Sequence, residues 1–394
     1  MSIEGKLGIE LLCRDNRVRQ VRILSSRPLQ LPLLFEGKRV TEVLQTIPLL
    51  YGICATAQAS AAVTACRQAL GLGVDERIRL AESMLVWFEM SREHLWRVLI
   101  DWPAFIGETV ERPQLPGLSR LVPDAQQALF DRTASAFTLQ PVARFDPHTL
   151  AGQIERLSHT LELAVFGIPA ADWHAMESVH ELEAWVAAKG TPAARYLAQL
   201  TDVGMAQLGE TSIEPLPAIE AAPLHQRLAQ ADADRFIARP EWYETPRETG
   251  SLTRQSEHPL IRAMRLRYGR GLLTRLVARL LELASIPCHL TGILHRLGQE
   301  LEPESVPQAT SEPGRGLGVV EAARGRLIHR TCVAGDTIQR YQILAPTEWN
   351  FHPAGLVAEG LLGLSRGDES SLRHQARLFI NAVDPCVDYG IEFV

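Results

Sequence analysis

Two short segments hold the residues with the greatest chemical reach. One is Leu49-Leu50-Tyr51-Gly52-Ile53-Cys54-Ala55-Thr56-Ala57-Gln58-Ala59-Ser60. The other is Val383-Asp384-Pro385-Cys386-Val387-Asp388-Tyr389-Gly390-Ile391-Glu392. Each places one cysteine in a largely apolar run. A thiolate at either position would be a soft metal ligand or a nucleophile. A lone cysteine in an apolar helix is more commonly an inert core thiol, so the surroundings must decide.

Other candidate clusters are weaker. Gly314-Arg315-Gly316-Leu317-Gly318 resembles a glycine-rich phosphate loop, but it precedes a strand instead of opening a helix, so a flexible loop is expected. His180-Glu181 lacks a second histidine at zinc-protease spacing. Cys288, His289 and His295 could ligate a metal, yet adjacent residues leave a helix in different directions, which favours ordinary packing. No Ser/His/Asp triad can be assembled from spacing. The six cysteines include no Cys-x-x-Cys pair, which argues against a zinc ribbon, a dithiol redox pair and a small disulfide framework.

The elements that must position these residues follow from periodicity. Residues 3–11 and 17–24 read as two strands around a turn at Arg14-Asp15-Asn16. Ala55–Leu70 and Glu76–Ile100 read as helices, the second stopped by Pro103. Residues 103–123 carry four prolines and read as a loop; residues 210–223 read as a linker or a long surface excursion. Leu272–Ala284 is amphipathic and interrupted at Pro287, and 302–316 reads as a loop. Strands are expected near 317–323, 326–333 and 337–344, then two short helices. The class is α+β, mainly helical, with strands from both chain ends.

Composition sets the limits. The chain has 394 residues, 46% hydrophobic and 22% charged, which is the profile of a folded globular protein. Its net charge of −6 argues against a general nucleic-acid binder. The first residues, Met-Ser-Ile-Glu-Gly-Lys, show no secretory signal, so the cytoplasm is the expected location. Val43–Cys66 has no charged residue, but its glutamines, serine, proline and alanines favour a helix buried in protein over a lipid-facing one.

Together, five blocks in order resemble the large subunit of nickel–iron hydrogenases. Ile3-Glu4-Gly5-Lys6-Leu7 looks like that family's Arg-Ile-Glu-Gly-His-Leu strand. Residues 49–60 look like its Arg-x-Cys-Gly-x-Cys-x-x-x-His motif. Residues 321–327 look like Glu-Ala-Pro-Arg-Gly-x-Leu, and 341–350 like Tyr-Gln-x-x-x-Pro-Thr-x-Trp-Asn. Asp384-Pro385-Cys386 matches the Asp-Pro-Cys of the last motif. The middle, roughly 103–250, shows little resemblance. The departures fall on the metal ligands: Tyr51 and Tyr389 stand where the family has cysteine, Leu49 replaces an arginine, and Gln58 and Glu392 replace histidines.

The pattern is similar to the large-subunit-like maturation proteins of the HupK/HoxV type. That resemblance implies a hydrogenase large-subunit-like fold over residues 1–394, with a central helical bundle and small antiparallel sheets built from both chain ends. Its parts would be an N-terminal hairpin and core helices (1–102), a divergent helical middle (103–250), and a core helix, strands and site motif (251–394). It implies a non-enzymatic scaffold for the family's iron–dicyano–carbonyl unit, without nickel, since half the soft ligands are missing. Cys54 and Cys386 would be the metal-ligating thiols. Arg324 and Thr347 would donate to the cyanides, and Leu344, Ala345 and Pro346 would line an apolar pocket for carbon monoxide. Cys54 matches an iron-bridging position and Cys386 a nickel-only one. Either Cys386 shifts to reach iron, or Cys54 holds iron and Cys386 serves in transfer. Arg324 would also favour the Cys54 thiolate. Glu4 matches a family proton-transfer residue, with a structural role equally open. The end at Val394 implies no cleavable tail. Implied partners are a chaperone of the HypC type, an iron-loading protein of the HypD type, and the apo large subunit. The alternatives are a metal-free interaction protein and, less well matched, a quinone-reducing subunit related to respiratory complex I.

Overall fold

Leu7, Ile9 and Leu11 are buried while their neighbours are not, and this period of two makes a half-buried strand. The computed structural model describes residues 5–109, 115–131, 136–299, 313–365 and 368–394. The strands are β1 (Lys6–Arg14), β2 (Arg17–Ser25), β3 (Arg315–Ala322), β4 (Gly325–Ala334), β5 (Thr337–Leu344) and β6 (Asp388–Phe393). They form two sheets, ordered β2-β1-β6 and β3-β4-β5. β1 and β2 turn at Asp15 and Asn16, whose φ values of 52° and 55° suit the short polar side chains there.

The first sheet corrects an expectation. It is built from both chain ends, but it is mixed, because β6 runs parallel to β1 with Lys6 opposite Asp388. The second sheet is antiparallel throughout, as expected. Residue 4 and residues 300–312 lie outside the described residues, so the Glu4 assignment and most of the 302–316 loop are not addressed.

Helices that position the site are α1 (Val40–Leu50), α2 (Ala55–Ala69), α3 (Glu76–Trp96), α4 (Leu272–Leu297), α5 (Pro346–Asn350) and α6 (Glu369–Val383). Val43–Cys66 is thus two helices with a break at Tyr51–Cys54, not one. The chain beyond α3 continues through a wider turn, Arg97–Asp101, and a short helix, Trp102–Phe105, that contains Pro103. Where a loop was expected, Leu115–Leu129 is helical with Pro123 inside it. Leu118, Val122, Ala125 and Leu129 form one buried stripe, and its burial outweighs the hydrogen bond that Pro123 forfeits. Pro287 likewise fails to interrupt α4. Residues 210–223 are no loose linker: Ile213 and Leu216 are buried, and Leu216 N–H donates to the Glu248 carbonyl at 2.7 Å.

α4 is the one helix among the described residues long and apolar enough to cross a membrane, and most of its apolar stretch is buried inside the fold, against α3 and α6 among others. Its Glu282 accepts from the His94 Nε2–H and the Ser251 hydroxyl at 2.7 Å each, and from Arg254 Nη2 at 2.8 Å. Burial alone would raise this carboxyl; Arg254 and His94 outweigh it and hold the group far below the usual carboxylate range. Burial also pushes the His94 imidazole down, so it donates as a neutral ring.

The glycines of 314–318 have a packing role. Gly316 and Gly318 lie in β3, and a Cβ on either would sit 1.9 Å from a carbonyl oxygen of α2, that of Ala65 or Ala61. The alanine-rich face of α2 rests directly on their backbone. Gly318→Ala is therefore expected to lower unfolding stability by at least about 1–3 kcal/mol. A urea midpoint unchanged from the native protein would refute this close approach.

Candidate functional site

Four stretches of the chain meet at one narrow cavity. Its walls include Arg27, Tyr51, Cys54, Gln58, Ile343, Ala345, Glu348 and Cys386. Cys54 is the residue before α2, in a non-helical conformation. No side chain of its own turn caps α2. Instead Glu89 of α3 reaches across and accepts from Thr56 N–H at 2.8 Å and Ala57 N–H at 2.9 Å. Cys386 is buried in the connection between α6 and β6, so the parallel pairing of β6 with β1 delivers it.

Arg27 is the residue that sequence reasoning missed. It follows β2, where Gly5 lets the chain pass closely: a Cβ on Gly5 would meet the Ser26 carbonyl at 2.6 Å and the Arg27 Cα at 2.7 Å. The Arg27 Nη1–H donates to Cys386 Sγ at 3.1 Å, and its Nε lies 2.9 Å from Glu348 Oε1. Glu348 in turn accepts from the Ala345 N–H at 3.1 Å, closing the start of α5. Thr347, also in α5, has its hydroxyl 3.0 Å from Cys386 Sγ. If the sulfur is a thiolate, that hydroxyl must be the donor. Cys386 is therefore held by a guanidinium and a hydroxyl together. The only sequence cue for Arg27 is its place just before Pro28 at a strand end, which does not separate it from the chain's other arginines.

Arg324 sits in the β3–β4 turn. Gly325 beside it has φ +129°, and a Cβ there would meet Thr249 at 2.5 Å, so the turn requires glycine. Arg324 pairs with Glu93 Oε2 at 3.0 Å and Asp384 Oδ1 at 3.3 Å, close enough to both thiols to act on them electrostatically. Arg324 favours the Cys54 thiolate, as expected, but it is outweighed. Burial, then Cys386 and Glu89, raise the Cys54 thiol strongly, and Arg324 and Gln58 oppose this only in part. In the bare protein Cys54 keeps its proton until something displaces it.

The expected apolar wall needs two corrections, at Leu344 and Pro346. Ala345 lines the cavity, as does Ile343, but Leu344 does not. Alternation along β5 sends Leu344 to the other side, into a cluster with Leu317, Ile328 and Trp349. Pro346 opens α5 at its first turn and is not part of the wall. Of the residues standing for family ligands, Tyr51 and Gln58 face the cavity. Leu49 is 82% exposed and Glu392 is exposed, while Tyr389 is not on the cavity wall. Cys288 is exposed and His289 stacks on Trp87 at 4.4 Å, which is ordinary packing.

Chemically, the site offers two sulfurs, donors on Arg27, Thr347 and Gln58, and a small apolar wall. Among the described residues no group of three or more His, Cys, Asp or Glu is placed to hold a metal ion. A metal bound here would need to bring most of its own ligands.

Comparison with known proteins agrees with the fold. A family profile described as nickel-dependent hydrogenase matches residues 212–387. The chain is 30% identical to the hydrogenase expression/formation protein HupV of Azotobacter chroococcum, with 99% of both chains covered. It is 28% identical to HupK of Azotobacter vinelandii over 99% of both chains. HoxV of Cupriavidus necator is 29% identical over 94% of this chain and 92% of its own. Among solved structures, the reduced Ni-Fe-Se hydrogenase of Desulfovibrio vulgaris Hildenborough superposes with a TM-score of 0.67 at 17% identity, covering 95% of each chain. That of Desulfomicrobium baculatum gives 0.67 at 15% identity, with the same coverage.

Proposed function

The chain belongs to the family of hydrogenase expression/formation proteins, and from that premise we propose that it is a maturation scaffold for the iron–dicyano–carbonyl unit of nickel–iron hydrogenases. It would hold the unit in the cytoplasm and pass it to the apo large subunit, without catalysing a reaction itself. Partners on this reading are the HypC-type chaperone, the HypD-type iron-loading protein and the apo large subunit.

One observation supports it most: two sulfurs share a cavity that supplies hydrogen-bond donors, and among the described residues no group of three or more His, Cys, Asp or Glu gathers there to hold a metal ion. Such a site suits an iron that already carries strong diatomic ligands and suits a bare ion poorly. Cyanide nitrogen accepts hydrogen bonds, and the Arg27 guanidinium, Gln58 amide and Thr347 hydroxyl are the donors nearest the sulfurs. Arg324 adds positive charge behind them, offsetting the negative charge that cyanides and thiolates bring. Nickel would lack the thiolates it needs, because Tyr51 and Tyr389 replace two of them.

The high proton affinity of Cys54 fits a carrier. Metal uptake must release the thiol proton, and protonation favours release of the metal. The site then grips its cargo less firmly than a closed thiolate cage would.

The test is the infrared spectrum of protein purified without oxygen from cells with active hydrogenase maturation genes. Cyanide and carbonyl bands accompanied by iron, without nickel, are the expected result. A blank spectrum with no iron in a folded preparation would replace this reading with that of a metal-free interaction protein.

A further inference from the structure

A buried chain of polar groups runs away from Cys54 into the second sheet. The Gln58 Nε2 lies 3.7 Å from Cys54 Sγ. Gln58 Oε1 lies 2.7 Å from Nε2 of His329 on β4, and His329 Nδ1 lies 2.9 Å from the hydroxyl of Tyr341 on β5. Gln58, His329 and Tyr341 are 2%, 0% and 1% exposed, so water does not compete for these contacts. Phe35 packs edge-on against Tyr341 with ring centres 5.2 Å apart, and closes the far end.

Such a chain has a direction. An amide can present nitrogen or oxygen to the sulfur, and its neighbour decides which. If the Tyr341 O–H donates to His329 Nδ1, the ring carries its single proton on Nε2. That proton requires the Gln58 oxygen, and the amide N–H then points at Cys54. If the histidine proton sits on Nδ1, every link reverses and the amide oxygen faces the sulfur. A sulfur that binds metal has no proton and needs a donor, so the two directions differ in consequence. Burial keeps the ring neutral by pushing its pKa down to about 3, so it holds one proton.

We infer that His329 is a positioning residue that acts through Gln58, holding the amide nitrogen toward Cys54 so that the metal-binding sulfur meets a fixed donor. Neither His329 nor Tyr341 reaches the cavity wall, and both act at a distance from the cargo. The purpose of this donor rests on the scaffold reading, but its existence does not.

Two measurements separate the two ideas. The first is nitrogen NMR of the full-length protein labelled with ¹⁵N-histidine, the His329 signals being assigned by their loss in His329→Phe. A neutral ring protonated on Nε2 is expected, and protonation on Nδ1 overturns the inference. The second is the infrared spectrum of iron-loaded Gln58→Leu. Losing a donor makes the sulfur push more electron density onto iron, so the carbonyl band is expected to move to lower frequency with its cyanide bands retained. His329→Phe should move it the same way. An unmoved band in Gln58→Leu also overturns the inference. If the native protein shows no bands at all, the scaffold reading falls while the NMR result still decides the direction of the chain.

Discussion

In Cys54→Ser, the iron retained through anaerobic purification is expected to fall at least tenfold, with loss of the cyanide and carbonyl bands. Changing a mere outer-shell partner of a metal typically costs about 10–100-fold in affinity, and Cys54 is read as a direct ligand. The protein should still fold, because Cys54 is only half-buried and its helix is capped from outside by Glu89. Cys386→Ser separates the two roles open to the second thiol. If Cys386 ligates iron, its variant loses iron as Cys54→Ser does. If it serves in transfer, its variant keeps the bands but fails to load the apo large subunit. Retention of normal iron in Cys54→Ser would sink the ligand assignment outright.

The second large effect concerns stability. Asp384 is 2% exposed and faces three guanidinium groups: Arg97 at 2.8 Å, Arg324 at 3.3 Å and Arg279 at 3.6 Å. Burial would raise its carboxyl, but Arg324, Arg97 and Arg279 outweigh this and hold it far below the usual range. Asp384→Asn keeps shape and removes the charge, leaving crowded arginines less compensated. The expected cost is about 3–5 kcal/mol, as for other broken buried ion pairs. The residue also has φ +66°, a left-handed backbone that asparagine tolerates, so strain is not altered. Asp384→Gly relaxes that backbone yet loses the charge, and should remain clearly less stable than the native protein.

pH gives an independent check. A carboxyl lowered by folding stabilises the fold above its unfolded pKa of about 3.9, and that contribution fades as pH falls further toward the folded value. The gap between native and Asp384→Asn urea midpoints should therefore be full at neutral pH and shrink below about pH 4. A neutral-pH difference under about 1 kcal/mol would contradict the account.

What could be read from sequence was whatever lay in short contiguous blocks. Cys54, Arg324, Thr347 and Asp384-Pro385-Cys386 each sit in a recognisable string: Cys54 and Cys386 line the cavity, while Thr347 touches Cys386 and Arg324 pairs with Asp384 without either being on its wall. Arg27, Glu348 and His329 act through contacts with distant segments, and Arg27 reaches Cys386 across most of the chain. No local pattern encodes such a contact. β6 was missed for the same reason: six residues with a central glycine make a strand only because β1 lies beside them. Pro123 and Pro287 misled in the other direction, as tertiary burial overrode local propensity. The 314–318 glycines looked mobile but mark where helix α2 presses on β3.

The parallel pairing of β1 with β6 also governs timing. Lys6 and Asp388 lie near opposite ends of the sequence, and the pairing that joins them also brings Cys386 to the cavity that Cys54 lines. A contact this remote needs loop closure across most of the polypeptide. A chain still being synthesised, or one with its last strand undocked, displays a single thiol and no cage. On the scaffold reading, capture of the cargo by both thiols would then depend on a finished fold.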